Sequence, residues 1–208
     1  MSQVQGWRGR RRPQPTDGGL REGRGAGSVV LMRQLLLLRH AKSSWDDPAL
    51  ADHARPLNRR GKLAAEAMRR AMGELGLAPD LVLVSSSRRT LQTLEALEPW
   101  PDTPLVEPMD AIYLAAAPGL LQVLREVSDT VRSVMLVGHN PGLHELAMQL
   151  VGEQGLTRMD SALQQLRQAY PSGALAEFSV AGSWSSVGGG GERLVRFLCP
   201  RDLPDLGQ

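Results

Sequence analysis

Three short apolar runs, each followed at once by a polar and basic cluster, constrain this chain more than any other feature. Residues 35–38 lead into Arg39 and His40. Residues 81–84 lead into Ser85, Ser86, Ser87, Arg88 and Arg89. Residues 133–137 lead into Gly138, His139 and Asn140. Apolar runs this short read as buried strands. Stretches with helical spacing separate them. Asn58 is placed to cap a helix that runs to about Leu75, with Leu63, Ala64, Ala67, Met68, Ala71 and Leu75 on its inner face and Gly76 where it stops. Further helices are expected through Thr93 to Leu97, over 120–127 and over 143–151. A short strand is expected over 104–106, and a closing strand pair over 175–180 and 193–198, with a flexible glycine loop at 188–191 between its two members. Strands alternating with helices predict an α/β fold: a single domain with a mostly parallel central sheet flanked by helices.

In such sheets ligands bind outside the carboxyl ends of the strands. The three strongest strands therefore deliver two histidines, His40 and His139, and at least two arginines to one edge. Arginine pairs its N–H donors with phosphate oxygens and keeps its charge at any working pH. Histidine serves near neutrality as nucleophile, acid or charged donor. Taken singly, each signal has a plainer reading: a packed histidine, or a solvated Ser/Arg turn. Together, at one end of one sheet, they describe a phosphate pocket with a nucleophile built in.

Composition bounds the rest. The 208 residues suit one domain, and a formal net charge of +2 does not point to a nucleic-acid partner. Cys199 is the single cysteine, so no intramolecular disulfide can form. No apolar run approaches the roughly 18 residues that cross a bilayer. No membrane association is expected, and a cytoplasmic location is. Residues 1–31 carry six arginines against Asp17 and Glu22, a net +4, and are rich in glycine and proline without an apolar period. They read as a disordered extension ahead of a domain over 32–208.

The segment from Leu37 to Trp45, Leu-Leu-Arg-His-Ala-Lys-Ser-Ser-Trp, resembles the signature of SixA-type phosphohistidine phosphatases, small members of the histidine phosphatase superfamily. Further pieces follow in order: Arg55-Pro56-Leu57-Asn58, the serine turn with Gln92-Thr93, Tyr113-Leu114, and Val137 to Gly142. The resemblance spans about residues 33–203 and implies a phosphoglycerate mutase-like fold. It implies His40 as the nucleophile, Arg39 as the first phosphate-binding arginine and His139 as the second pocket histidine. The second arginine falls at Arg89, three residues before Gln92-Thr93. Arg88 is the alternative, because the turn holds three serines where two are usual. Lys42 and Ser43 are candidate substrate contacts. Asp110, three residues before Tyr113, falls where relatives often carry a carboxylate and is the candidate proton donor. Asn58 suits a helix cap better than a ligand.

The implied activity is hydrolysis of phosphohistidine on a protein, of the histidine-phosphotransfer type, through a phosphohistidine formed on His40. The alternative is a phosphatase of small phosphomonoesters, or a mutase-like relative, using the same pocket. His40 has to be neutral to attack while His139 helps most when protonated, so the two are expected to titrate apart. No carboxylate or cysteine cluster suggests a metal, and no cofactor is expected. Only 49 residues separate His40 from Arg89 and 50 more reach His139, which leaves little chain for a lid over a small substrate. A monomer is expected.

Overall fold

The computed structural model describes residues 32–156 and 160–203; the extension expected over 1–31 lies outside them. The sheet has six strands: β1 (Met32–Arg39), β2 (Leu81–Ser85), β3 (Leu105–Met109), β4 (Ser133–Gly138), β5 (Leu175–Ala181) and β6 (Glu192–Leu198). Their order is β3-β2-β4-β1-β5-β6. The first four run parallel, while β5 pairs antiparallel with β1 and with β6. This is the expected mostly parallel sheet, with the closing pair on its β1 side.

β1 lies in the middle, and its apolar run is buried on both faces, as parallel strands covered by helices require. Leu36 and Leu38 pack with Met68, Met72 and Leu94. Leu35 and Leu37 point the other way, into a larger cluster with Leu120, Leu124, Leu146 and Leu150. The first face is covered by α1 (Arg59–Glu74) and α2 (Arg88–Glu95). The second is covered by α3 (Ala117–Arg125), α4 (Gly142–Leu156) and α5 (Ser161–Gln168).

Asn58 caps α1 as expected, its side chain accepting from the Gly61 N–H at 2.8 Å. Gly76 sits just past the end at φ +65°, where a side chain would be strained. The buried stripe of α1 is turned from the expected one. Ala65, Ala67, Met68, Ala71 and Met72 are buried, whereas Leu63 and Leu75 stay exposed. β3 runs longer than 104–106 and holds Pro108. Proline is tolerated there because β3 is an edge strand. Helix α5 has no counterpart in the sequence reading; the Asp160 side chain caps it by accepting from Leu163 N–H at 2.8 Å.

Candidate active site

The sheet brings the expected residues to one edge, and backbone bonds fix them there. Arg39 ends β1, and its N–H donates to Ala174 O at 3.0 Å; the His40 N–H donates to Gly138 O at 3.1 Å. The next residues are locked to both helices of that face. Thr93 Oγ1 on α2 accepts from the Ala41 N–H at 3.0 Å and donates to Arg89 O at 2.6 Å. Asn58 N–H donates to Lys42 O at 2.9 Å. A Cβ on Gly61 would lie 2.1 Å from that same carbonyl, so only glycine lets α1 approach so closely. The Gln92 side chain accepts from Leu57 N–H at 2.8 Å. The Gln92-Thr93 pair thus works as a clamp on the loop that carries the nucleophile candidate.

Arg89 is 3% exposed, whereas Arg88 is exposed to solvent. Two guanidinium nitrogens of Arg89 donate to Asp52, one to the backbone oxygen at 2.6 Å and one to Oδ2 at 2.9 Å. The latter also faces His139 Nδ1 at 3.3 Å. Asp52 holds more than this. Tyr113 donates its hydroxyl to Oδ2 at 2.7 Å, and Arg55 Nη1 donates to Oδ1 at 2.9 Å. Arg55 also donates to Ser44 O at 2.9 Å and to Ser43 Oγ at 2.8 Å. One carboxylate therefore aligns two buried guanidiniums. Arg39 is held separately, donating from Nη1 to Tyr170 O at 2.7 Å. Asn140 donates to the same carbonyl at 3.1 Å.

The imidazoles lie side by side, ring centroids 5.1 Å apart. His40 Nδ1 is 2.7 Å from Ala41 O, which can only accept, so Nδ1 carries the proton and Nε2 keeps its lone pair. His139 accepts from Arg89 at Nδ1, so its Nε2–H donates to Ser85 Oγ at 2.8 Å. A cleft of about 290 Å³ opens between Arg39, His40, Arg55 and Arg89. Lys42, Ser43, Trp45 and Ser172 edge its mouth.

Burial pushes the His40 pKa down to about 4; the Ala41 carbonyl opposes this, and the charges of Arg89, Arg39 and Arg55 add to it. His139 is pushed down to about 3 by burial, then by His40, Arg89 and Arg39, with Asp52 opposing. Both rings are thus neutral in the free site at neutral pH. The expected split between a neutral His40 and a protonated His139 is absent in the free site because burial lowers both rings, with Arg89 and Arg39 adding to it in each. Asp52 lies near 2: burial pushes it upward, but the bonds from Tyr113 and Arg55 and the Arg89 charge outweigh burial.

The family model for the histidine phosphatase superfamily (branch 1) matches residues 35–110. A solved structure from Agrobacterium tumefaciens, assigned as the phosphohistidine phosphatase SixA, is 30% identical, with 81% of this chain and 98% of that one covered at a TM-score of 0.68. The chain belongs to the histidine phosphatase superfamily. A second structure with the same SixA assignment, from Nakamurella multipartitia, is 29% identical over 81% of this chain and 96% of that one, at a TM-score of 0.71. An uncharacterised protein of Mycobacterium tuberculosis is 33% identical over 165 residues, 79% of this chain and all of its own length. Membership of that superfamily, with SixA-assigned structures among its neighbours, places the chain among histidine-phosphatase-type hydrolases.

Within this SixA-type family member Arg39, His40 and Arg89 line one cleft together with Lys42 and Ser43, and His139 lies against His40 and Arg89 without lining it. Asp110 is outside that contact set. Its carboxylate accepts from the Ser86 hydroxyl, and His53 Nε2 is 2.9 Å from the same hydroxyl. His53 in turn stacks edge-on against Tyr113, with centroids 4.8 Å apart. Sequence reasoning missed Asp52 and assigned no role to Arg55, although Arg55 opens one of the quoted motifs. It also missed Tyr170, whose hydroxyl donates to Leu37 O at 2.6 Å and whose carbonyl holds Arg39. Among the described residues no helix is long and apolar enough to cross a membrane, and no group of three or more His, Cys, Asp or Glu is placed to hold a metal ion.

Proposed function

We propose that this phosphatase hydrolyses phosphohistidine on a protein, with His40 as the nucleophile. The observation that carries the reading is a neutral His40, its Nε2 lone pair free, in a cleft ringed by Arg39, Arg55 and Arg89. Nε2 attacks phosphorus in line. The bond from phosphorus to the substrate imidazole breaks, and its electron pair leaves with that nitrogen, which takes up a proton. Water then attacks the phosphorus on His40, releasing inorganic phosphate and restoring the neutral ring. Charge in this transition state sits on the equatorial oxygens, and the three guanidiniums are fixed beforehand to receive it, Arg89 with His139 packed against it.

The choice of substrate rests on the leaving group and the shape of the site. An alkoxide needs a well-placed acid. The imidazole of histidine, with a conjugate-acid pKa of about 6.5, needs little help. Asp110 is the acid this reading retains, linked through Ser86 to His53 at the rim. The cleft opens at the surface, as a protruding protein side chain requires.

The test compares kcat/KM for a phosphohistidine-bearing phosphotransfer protein with that for phosphoglycerate and a sugar phosphate. Rapid-quench mass spectrometry on the same reaction should find the phosphoryl group on His40. A phosphomonoester turned over faster than the phosphoprotein moves the assignment to small esters. A label on Ser43 or Cys199 refutes the mechanism.

A further inference from the structure

A second, larger hollow of about 550 Å³ adjoins the phosphate cleft and shares Lys42 and Ser172 with it. Leu63 and Ala64 of α1 form one side, and Pro171 and Pro200 line it from the loops after α5 and β6. Leu63 is 40% exposed although it stands in the apolar pattern of α1. Three cations border the hollow: Lys42, Arg60 and Arg201. Arg201 is paired with Asp202 at 3.6 Å. Among the described residues, the Lys42 and Arg60 side chains have no ion pair or hydrogen bond, so their charge is free to meet an outside partner. Trp45, which lines the phosphate cleft but not the hollow, is 76% exposed, with the Arg55 guanidinium 3.1 Å over its ring.

We propose that the hollow between α1 and Pro171 and Pro200 is the docking groove for the substrate protein's phosphorylated helix. The occupant is an amphipathic helix with acidic residues beside its apolar face, lying with that face on Leu63 and Pro200. This rests on the phosphohistidine-protein reading and adds to it the surface and the chemistry that select the protein. Two features support it. The groove is continuous with the cleft through Lys42 and Ser172, so a helix delivering its phosphohistidine to His40 presents the residues one or two turns away, about 5–11 Å, to the groove. The free charges of Lys42 and Arg60 complement acidic side chains and repel basic ones, which gives selection as well as attraction.

The experiment uses the full chain and two substrates, a phosphohistidine phosphotransfer protein and phosphoimidazole. The variants are Leu63→Glu and Arg60→Glu, both at exposed positions outside the catalytic cleft. Each should lower kcat/KM for the phosphoprotein about tenfold or more through KM, as loss of a central contact does. Each should leave phosphoimidazole turnover within about twofold of wild type. Arg60→Glu should also weaken the salt dependence of the protein reaction. If wild type favours the phosphoprotein and both variants match it, the groove assignment is wrong and the substrate reading stands. If wild type turns over phosphoimidazole but not the phosphoprotein, the substrate reading fails and takes the groove with it. Equal losses on both substrates would mean that the variants disturb the cleft, and would also overturn the assignment. A wild-type dimer that Leu63→Glu splits would give the groove to a second copy of the chain.

Discussion

Replacing Asp52 with asparagine tests whether one carboxylate organises the cleft. Asp52 accepts from Arg55 on one oxygen and from Arg89 and Tyr113 on the other. Asparagine offers a single side-chain acceptor, so one guanidinium must face an amide NH₂ and move. The Arg89 pair at 2.9 Å is worth about 6 kcal/mol at an effective dielectric near 20. The Asp52 side chain is 44% exposed, however, and solvent screening reduces that to about 1 kcal/mol of stability. For a domain of this size, the melting temperature should drop by about 2–4 °C. The effect on rate should be far larger. A donor displaced by about 1 Å from the developing charge costs on the order of 10² in kcat. The assay is steady-state turnover of an aryl phosphate and of a phosphohistidine protein, with thermal melting on the same preparation. A folded Asp52→Asn enzyme within about threefold of wild-type kcat would refute the idea that Arg89 is held in register from this loop. Acid should separate the two effects. The Asp52 pKa is lowered in the fold, so its contribution is present above about 3.8 and is lost only as pH falls towards about 2.

The histidines set a different window. Both have pKa values depressed below 6.5 in the fold, to about 4 and about 3, so the unfolded chain binds protons first as pH falls. Stability should be full above pH 6.5 and decline below it, by an amount on the order of 3 kcal/mol for His40 alone. A melting temperature that stays flat from pH 7 to pH 5 would contradict a neutral buried pair. For the proton donor, Asp110→Asn should slow alkyl phosphate hydrolysis at least about tenfold while leaving phosphohistidine turnover within about twofold, since the alkoxide depends on a placed acid and the far less basic imidazole does not. Equal effects on both substrates would remove Asp110 from that role.

Where the sequence was legible, a local rule sufficed. The apolar runs of β1, β2 and β4 are buried on both faces, so their strand character needs no partner information. The choice between Arg88 and Arg89 was legible too, had helical period been applied. Arg89 and Thr93 are four apart on α2 and share its inner face, while Arg88 points away. Helix α5 was missed because only Leu163 and Leu166 of its eight residues are buried, too few to mark a period. The stripe of α1 was misplaced for a physical reason: apolar side chains at Leu63 and Ala64 line an open hollow rather than the sheet. Asp52 and Arg55 were illegible as site residues because they stand in the loop before α1. Their meaning depends on a bond that reaches across 37 positions to Arg89, which no local pattern encodes.

The charge count around His40 links the nucleophile's state to the cleft's affinity. Arg39, Arg55 and Arg89 bring three positive charges, and Asp52, bonded to Arg55 and Arg89, brings one negative, which leaves a surplus of about two positive charges. A phosphoryl group near neutral pH carries about −1.5 to −2, so the cleft is balanced when occupied and positive when empty. In the empty state that surplus, together with burial, holds both rings neutral. Neutrality at Nε2 is the condition for attack, and positive potential is the condition for drawing the anion in. Burial does most to meet the first condition, and the same three side chains add to it while supplying the second. Neutralising any one of them weakens phosphate binding and, by the same step, raises the His40 pKa towards its ordinary value. The two losses have one electrostatic origin, so rate and affinity should fall together across an arginine series, and the acid limb of the pH–rate profile should move upward with them.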